Sequence, residues 1–305
     1  MSRDNANGAG AEDAWDTHIH VFEPEKHPYS PNRSYTPAAA PLENYPTDAT
    51  GCRNIVIVQA TVQGTATAPL LDRLQRHPRP AWGGKLRGLA VLDLDEHTND
   101  QLDEMHAAGV RGVRMHLVSW GFRHQDDDDA VSSKLKTTAQ RLSRLGWVLD
   151  IYMHPKAWAA AAVTIRALPP STKIVADHWA GFRPGDEDTP EFASFLALVR
   201  DGRVHVKLSA FERQYHGHAG GMAALKRMGQ MLVAANPDRV LYASDWPNTA
   251  LASSREGRSA EGRLRIVEEG RNPPHRAHVD ALREWVGDEA VWRKIRVETP
   301  SRLFM

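Results

Sequence analysis

The sequence predicts an α/β protein built as a single (β/α)8 barrel, with long loops at its C-terminal face. Three observations carry that expectation. Eight short apolar runs recur along 305 residues, helical patterns separate most of them, and several runs end in His, Asp or Arg. Runs rich in Val, Ile and Leu are the mark of strands buried on both faces of a parallel sheet. Regular alternation with helices selects an α/β architecture, and charged groups at strand C-termini are where barrel enzymes place their chemistry.

In order, strands are expected at 14–21, 54–60, 86–92, 112–116, 147–153, 173–178, 204–209 and 240–245. Helices are expected at 69–77, 99–108, 132–145, 158–168, 189–200 and 221–235. Gly109 and Gly146 stop the second and third of these, because glycine adopts the left-handed C-terminal conformation freely. Pro169-Pro170 stops the fourth. Thr189-Pro190 opens the fifth with an N-cap followed by proline at the first helical position. The runner-up is a doubly wound open sheet, but no Gly-x-Gly-x-x-Gly follows the first strand and no Walker-type loop is found.

Composition narrows the function. Hydrophobic residues make up 41% of the chain, enough for a sizeable core, and Lys+Arg equals Asp+Glu at 38 each. That balance leaves no electrostatic footprint for nucleic acid or an anionic membrane. The lone cysteine, Cys52, excludes an intramolecular disulfide and reads as a buried structural thiol. Residues 1–12 are polar and lack the apolar stretch of a signal peptide, so they are expected to be a disordered leader to one domain spanning 13–305. No run approaches the roughly 20 apolar residues of a membrane span. A cytoplasmic location is expected. Self-association is left open. The connections 23–51 (with six prolines), 180–188 and 248–274 follow strands and should form walls or a lid at the C-terminal face. Asp126-Asp127-Asp128-Asp129 reads as a solvated loop and helix N-terminal charge.

The candidate site begins with His18 and His20. Spaced by two on a strand, they point to the same side and can bind a metal or polarise a carbonyl. Their bland alternative is a pair of hydrogen-bonded core histidines. His178 and Asp245 end the sixth and eighth strands, so the four groups can meet only if the sheet closes. Arg114 ends the fourth strand. There a guanidinium needs an anion, either a substrate carboxylate or an acid within the barrel.

These residues bring in a family resemblance. Asp16-Thr17-His18-Ile19-His20-Val21-Phe22, the loop from Tyr29 to Pro37, Val58-Gln59-Ala60-Thr61, Gly109-Val110-Arg111-Gly112-Val113-Arg114, Asp177-His178 and Asp245-Trp246-Pro247 follow one another as in the amidohydrolase superfamily. The match resembles its metal-independent lactonase branch, typified by 2-pyrone-4,6-dicarboxylate lactonases, over residues 13–305. It implies a hydrolase that opens a cyclic ester and serves catabolism. Asp245 would act as general base for water, and His18, His20 and His178 would donate to the oxyanion. Tyr152 and Arg213 would join Arg114 in positioning the substrate, an organic acid or lactone. Tyr152 as plain core and Arg213 paired to a surface acid are the alternatives. Lys207, two residues before Ser209 on the same strand face, is a further candidate.

The chain departs from the branch at points that bear on the substrate. Trp120 stands where the dicarboxylate lactonases carry a further Arg, which suggests a less anionic or more aromatic substrate. His154 replaces an acid, and His116 is an added imidazole beside Arg114. Both read as local hydrogen-bonding groups. No cofactor is required on this reading. In the rival reading, His18, His20, His178 and Asp245 ligate one divalent ion, Zn2+, in a decarboxylase or amide hydrolase of the same superfamily. A non-catalytic binder on the same barrel and a dinucleotide oxidoreductase are further rivals. Turnover unaffected by Asp245→Asn would rule out the proposed mechanism, and cofactor absorbance would revive the oxidoreductase.

Overall fold

Eight parallel strands form in chain order, each paired with its sequence neighbour: β1 (Trp15–Ile19), β2 (Asn54–Val58), β3 (Leu86–Ala90), β4 (Val110–His116), β5 (Val148–Tyr152), β6 (Lys173–Ala176), β7 (Val204–Leu208) and β8 (Val240–Tyr242). The computed structural model describes residues 13–76, 80–119 and 128–305. The expected leader 1–12, His77 at a helix end and Trp120 lie outside the described residues.

Alternation along the strands builds two cores. Val56, Val58, Leu89, Val148, Val175 and Leu241 meet Trp15 inside the barrel, and Leu303 and Phe304 of the C-terminal helix Thr299–Phe304 plug its N-terminal end. Their strand neighbours Ile55, Ile57, Val113, Leu149 and Ile151 face outward onto the helices. The interior is tight. A Cβ on Gly112 would sit 2.3 Å from the Val148 carbonyl oxygen, so glycine is required there.

The inward-facing residues change character toward the C-terminal ends. Val148 gives way to Asp150 and Tyr152 on β5, Val175 to Asp177 beyond β6, and His205 to Lys207 and Ser209 on β7. The apolar layer thus forms a floor and the charged layer the site, as expected for a barrel enzyme.

Two local features aim the first strand. Between Asp16 and Ile19 the register with β2 slips, so three steps on β1 oppose two on β2. A bulge of this kind re-aims side chains. Trp15 faces the interior, and so does His18, three residues later, which strict alternation would turn outward. His18 and His20 still point to the same side, as their spacing of two requires; the bulge sets which side that is. The second feature is the seam. β8 and β1 share no regular ladder. They are joined by an Ile19–Trp246 bridge and by His20 N–H donating to Trp246 O (2.7 Å), Asp245 N–H to His18 O (3.0 Å) and Thr17 Oγ1 to Tyr242 O (2.7 Å). Buried Asp16 completes it, accepting from Ser244 N–H (2.9 Å) and the Tyr45 hydroxyl (2.7 Å).

Some element boundaries differ from expectation. The fourth helix is Pro155–Ala167, starting three residues early because Pro155 fits the first helical position. The third is Asp128–Leu142, with Asp128 and Asp129 in its first turn, followed by the 3-10 turn Ser143–Leu145. Residues 221–235 split into the 3-10 turn Gly221–Leu225 and helix Lys226–Ala235, and β4 begins two residues early at Val110. Thr189 caps helix Pro190–Arg200 as expected, accepting from Phe192 N–H. Helix His275–Val286, beyond the eighth strand, was not expected. It buries His275, His278, Val279, Leu282 and Trp285 at helical spacing.

The long connections do wall the C-terminal face. The short strands Thr36–Pro37 and Val267–Glu268 pair, which ties residues 23–51 to 248–274. Buried Glu268 accepts from Arg255 and Arg258, and Arg255 stacks 3.7 Å over Tyr35. Cys52 is buried, with Arg296 Nη2 3.1 Å from its sulfur, and burial pushes its thiol up to about 12. Among the described residues, no helix is long and apolar enough to cross a membrane.

Candidate active site

The strand ends bring His18, His20, His178 and Asp245 together. Asp245 Oδ1 lies 3.8 Å from His18 Nε2, 3.7 Å from His20 Nε2 and 3.9 Å from His178 Nε2, and the four residues are buried. His18 on β1 and His20 just beyond it face each other with 3.3 Å between their Nε2 atoms.

The other ring nitrogens decide what these faces offer. His18 Nδ1 donates to Asp177 Oδ1 (3.0 Å) and His20 Nδ1 to the Val58 carbonyl (2.7 Å). A carboxylate and a carbonyl only accept, so the neutral rings carry their proton on Nδ1 and a bare lone pair on Nε2. The rings are neutral. Burial, reinforced by the Arg114 charge, lowers His20 to about 4. Burial lowers His178 to about 3, against the pull of Asp177. Burial also holds His18 well below the usual histidine range, again against Asp177. His178 Nδ1 is 2.7 Å from Ser209 Oγ.

The loops that present these groups are strained. Asp245 sits at φ +60°, and His178, Trp179 and Ala180 run consecutively at +50°, +58° and +56°. Each left-handed residue costs about 1–2 kcal/mol, so such a turn persists only when its surroundings impose it. Here Trp179 Nε1 donates to Ser209 O, Trp158 Nε1 to Ala180 O and Gln214 Nε2 to His178 O.

Beneath the histidines lies a buried charge network that the sequence reading largely missed. Lys207 Nζ donates to Asp150 Oδ1 (2.5 Å) and Asp177 Oδ1 (2.9 Å). Burial pushes Asp150 up. Asp177 is held well below the usual carboxylate range, because His18 and Lys207 together outweigh the effect of burial. Arg114 Nε is 3.6 Å from Asp177 Oδ2, and its Nη1 donates to Gln59 O. Arg114 thus meets the internal acid that was one of its two alternatives, while standing beside His20 and His178.

At the rim, Arg213 Nη2 is 3.9 Å from Asp245 Oδ2 and donates to Thr249 O. Glu212, one acid of its surface-pairing alternative, pairs instead with Arg271 (2.9 Å). Arg271 itself donates from Nε to the same Thr249 oxygen, which sets two guanidiniums side by side at the mouth. Arg271 was missed because it lies in an irregular loop with no periodic signal. Tyr152 packs on His178 (5.6 Å between centroids) and on His116 (4.9 Å). Burial raises its phenol, so it remains a hydrogen-bond donor. His116 Nδ1 accepts from Ser119 N–H, with Tyr152 between it and His178, and His154 is exposed at a helix N-cap without a capping bond.

Residues 15–304 match the model of the amidohydrolase family. The chain belongs to that family. This amidohydrolase is 33% identical to a 2-pyrone-4,6-dicarboxylate hydrolase of Comamonas testosteroni, over 80% of its own length and 78% of the relative's. It is 28% identical to a 4-sulfomuconolactone hydrolase of Hydrogenophaga intermedia, over 95% and 88%. A candidate 2-pyrone-4,6-dicarboxylic acid hydrolase from Pseudomonas putida, solved by crystallography, superposes with a TM-score of 0.71 at 26% identity, covering 96% of this chain and 97% of that one. The barrel and the family expected from the sequence are both found.

Proposed function

We propose that this amidohydrolase opens a lactone ring by hydrolysis, on a substrate bearing at least one acidic group. One observation carries the reading: three imidazole Nε2 atoms surround one oxygen of Asp245, with Arg213 and Arg114 at the margins. Relatives named for dicarboxylate and sulfonate lactones support it.

Asp245 takes a proton from water as the oxygen adds to the lactone carbonyl. The tetrahedral oxyanion collapses, the ring C–O bond breaks, and Asp245 returns the proton to the departing oxygen. Arg213 and Arg114 hold the acidic group, and the Tyr152 phenol donates to the ring substituents. His18 and His20 present lone pairs, so they can serve an oxyanion only with a positive centre between them. A proton taken up between their Nε2 atoms when the substrate is bound, absent from the neutral resting rings, is one such centre. A single divalent ion such as Zn2+ is the other, and the chain's donors fit it: His18, His178 and Asp245 offer ligand atoms within 4.8 Å of one another. When bound, such an ion polarises a carbonyl as a Lewis acid.

The test is a panel of carboxylated, sulfonated and uncharged lactones assayed for acid release, with metal analysis of the same protein before and after chelation. Release from the acidic lactones is expected. Failure to open any lactone, with carbon dioxide or ammonia released from acids or amides instead, would replace this reading with the decarboxylase or amide hydrolase. Loss of turnover on chelation assigns the positive centre to the ion, and retention assigns it to the proton.

A further inference from the structure

His18 has two faces, and the inner one belongs to a second cluster. Its Nδ1, one oxygen of Asp150 and one of Asp177 lie within 4.8 Å of one another, the spacing of a metal-ligand set. The three residues are wholly buried. The space among them is taken. Lys207 Nζ stands 2.5 Å from Asp150 Oδ1, 2.9 Å from Asp177 Oδ1 and 3.2 Å from His18 Nδ1.

We propose that the Lys207 ammonium is the built-in cation of a latent divalent-metal site formed by His18 Nδ1, Asp150 and Asp177, and that it keeps external ions out of this inner face. Two buried carboxylates need a cation, and an ammonium supplies one without an affinity that depends on metal supply. The cage remains richer in acceptors than Lys207 can serve. Asp150 Oδ2 is buried with no hydrogen-bond partner, and Asp177 Oδ2, also without a hydrogen bond, has only the Arg114 guanidinium 3.6 Å away. A hard divalent ion would take up these oxygens as ligands.

The exclusion matters for the outer face. A neutral imidazole has one lone pair. Because Nδ1 gives its proton to Asp177, its contact with Lys207 is the approach of two donors, and the lone pair stays on Nε2 beside Asp245. An ion on the inner face would draw the lone pair to Nδ1 and leave N–H on Nε2, reversing what His18 shows to the reacting atoms. Lys207 is therefore a positioning residue acting through His18. The inference does not depend on which substrate is turned over.

The test separates the two faces. In a parent carrying Asp245→Asn and His178→Asn, the outer face is dismantled. With Lys207 intact, cobalt or zinc titrated into this parent should bind no more than to a denatured control. Adding Lys207→Ala should create one site, read as a cobalt visible band, as one equivalent of zinc in equilibrium dialysis and as a rise in Tm with zinc. Adding Asp150→Asn to that should weaken it by at least about tenfold. A folded Lys207→Ala variant that binds no more cobalt than its parent, or binding indifferent to Asp150→Asn, overturns the proposal. Should Lys207→Ala leave the chain unfolded without metal, recovery of its native near-UV signal in zinc or cobalt supports the proposal, and failure in both ions overturns it.

Discussion

At the scale of single residues, Asp245 combines two features that are costly apart from function: a carboxylate buried among three imidazoles and a left-handed backbone at φ +60°. Asp245→Asn keeps the shape and removes the base. It should lower kcat by about 10²–10⁴ with KM nearly unchanged, as expected for a group that acts on the proton in transit. Steady-state kinetics on any lactone the protein opens will show this, and an unchanged kcat would remove Asp245 from the mechanism. Arg213 is the complementary case. It is about a quarter exposed and is joined to the fold mainly through the Thr249 carbonyl. Arg213→Met should raise KM for acid-bearing lactones by about tenfold, the scale of one charge-assisted contact of about 1.5 kcal/mol, and leave uncharged lactones unaffected. An equal loss on both would assign Arg213 to the protein's own structure.

At the scale of elements, the site depends on a seam that the regular hydrogen-bond ladder does not make. Asp16, near the start of β1, bonds to the loop after β8 through Ser244 N–H and to the 23–51 connection through Tyr45. Asp16→Ala takes the acceptor from two buried N–H groups, Ser244 N–H (2.9 Å) and His18 N–H (3.2 Å), at about 1–3 kcal/mol each, while the Tyr45 hydroxyl keeps Thr50 Oγ1. Urea denaturation should therefore show a loss of at least about 2 kcal/mol. Because the same seam sets His18 against Asp245, kcat should fall too; a stable variant of normal kcat would show that the seam closes without Asp16. These elements also mark what was legible in the sequence. The eight strands and the grouping of His18, His20, His178 and Asp245 could be read, because apolar runs and polar strand ends are local signals. The bulge in β1, the left-handed turn from His178 to Ala180 and the Lys207–Asp150–Asp177 network could not. Each is imposed by contacts between residues far apart in the chain, such as Trp179 on Ser209. Arg271 was hidden for the same reason: its partners Glu212 and Thr249 are near only in the folded chain.

At the scale of the whole molecule, burial has been used to keep histidines neutral. The folded chain holds His20, His275 and His278 at about 4 and His116, His178 and His205 at about 3, in each case through burial first. In the unfolded chain these rings protonate near 6.5. Below that pH the unfolded state binds protons that the folded state refuses, so stability rises with pH and falls as pH drops from about 6.5 toward 4. Each ring contributes up to about 1.4 kcal/mol per pH unit across that window. Acting together, these six would exhaust a typical 5–15 kcal/mol of stability within about two units. Acid unfolding should therefore have its midpoint above about pH 4, well before most carboxylates are neutralised. Urea denaturation at pH 7, 6 and 5, followed by tryptophan fluorescence, should show the midpoint falling steadily. A midpoint unchanged from pH 7 to 5 would mean that these rings take up protons within the fold, and the bare Nε2 lone pairs around Asp245 would then not survive at mildly acidic pH.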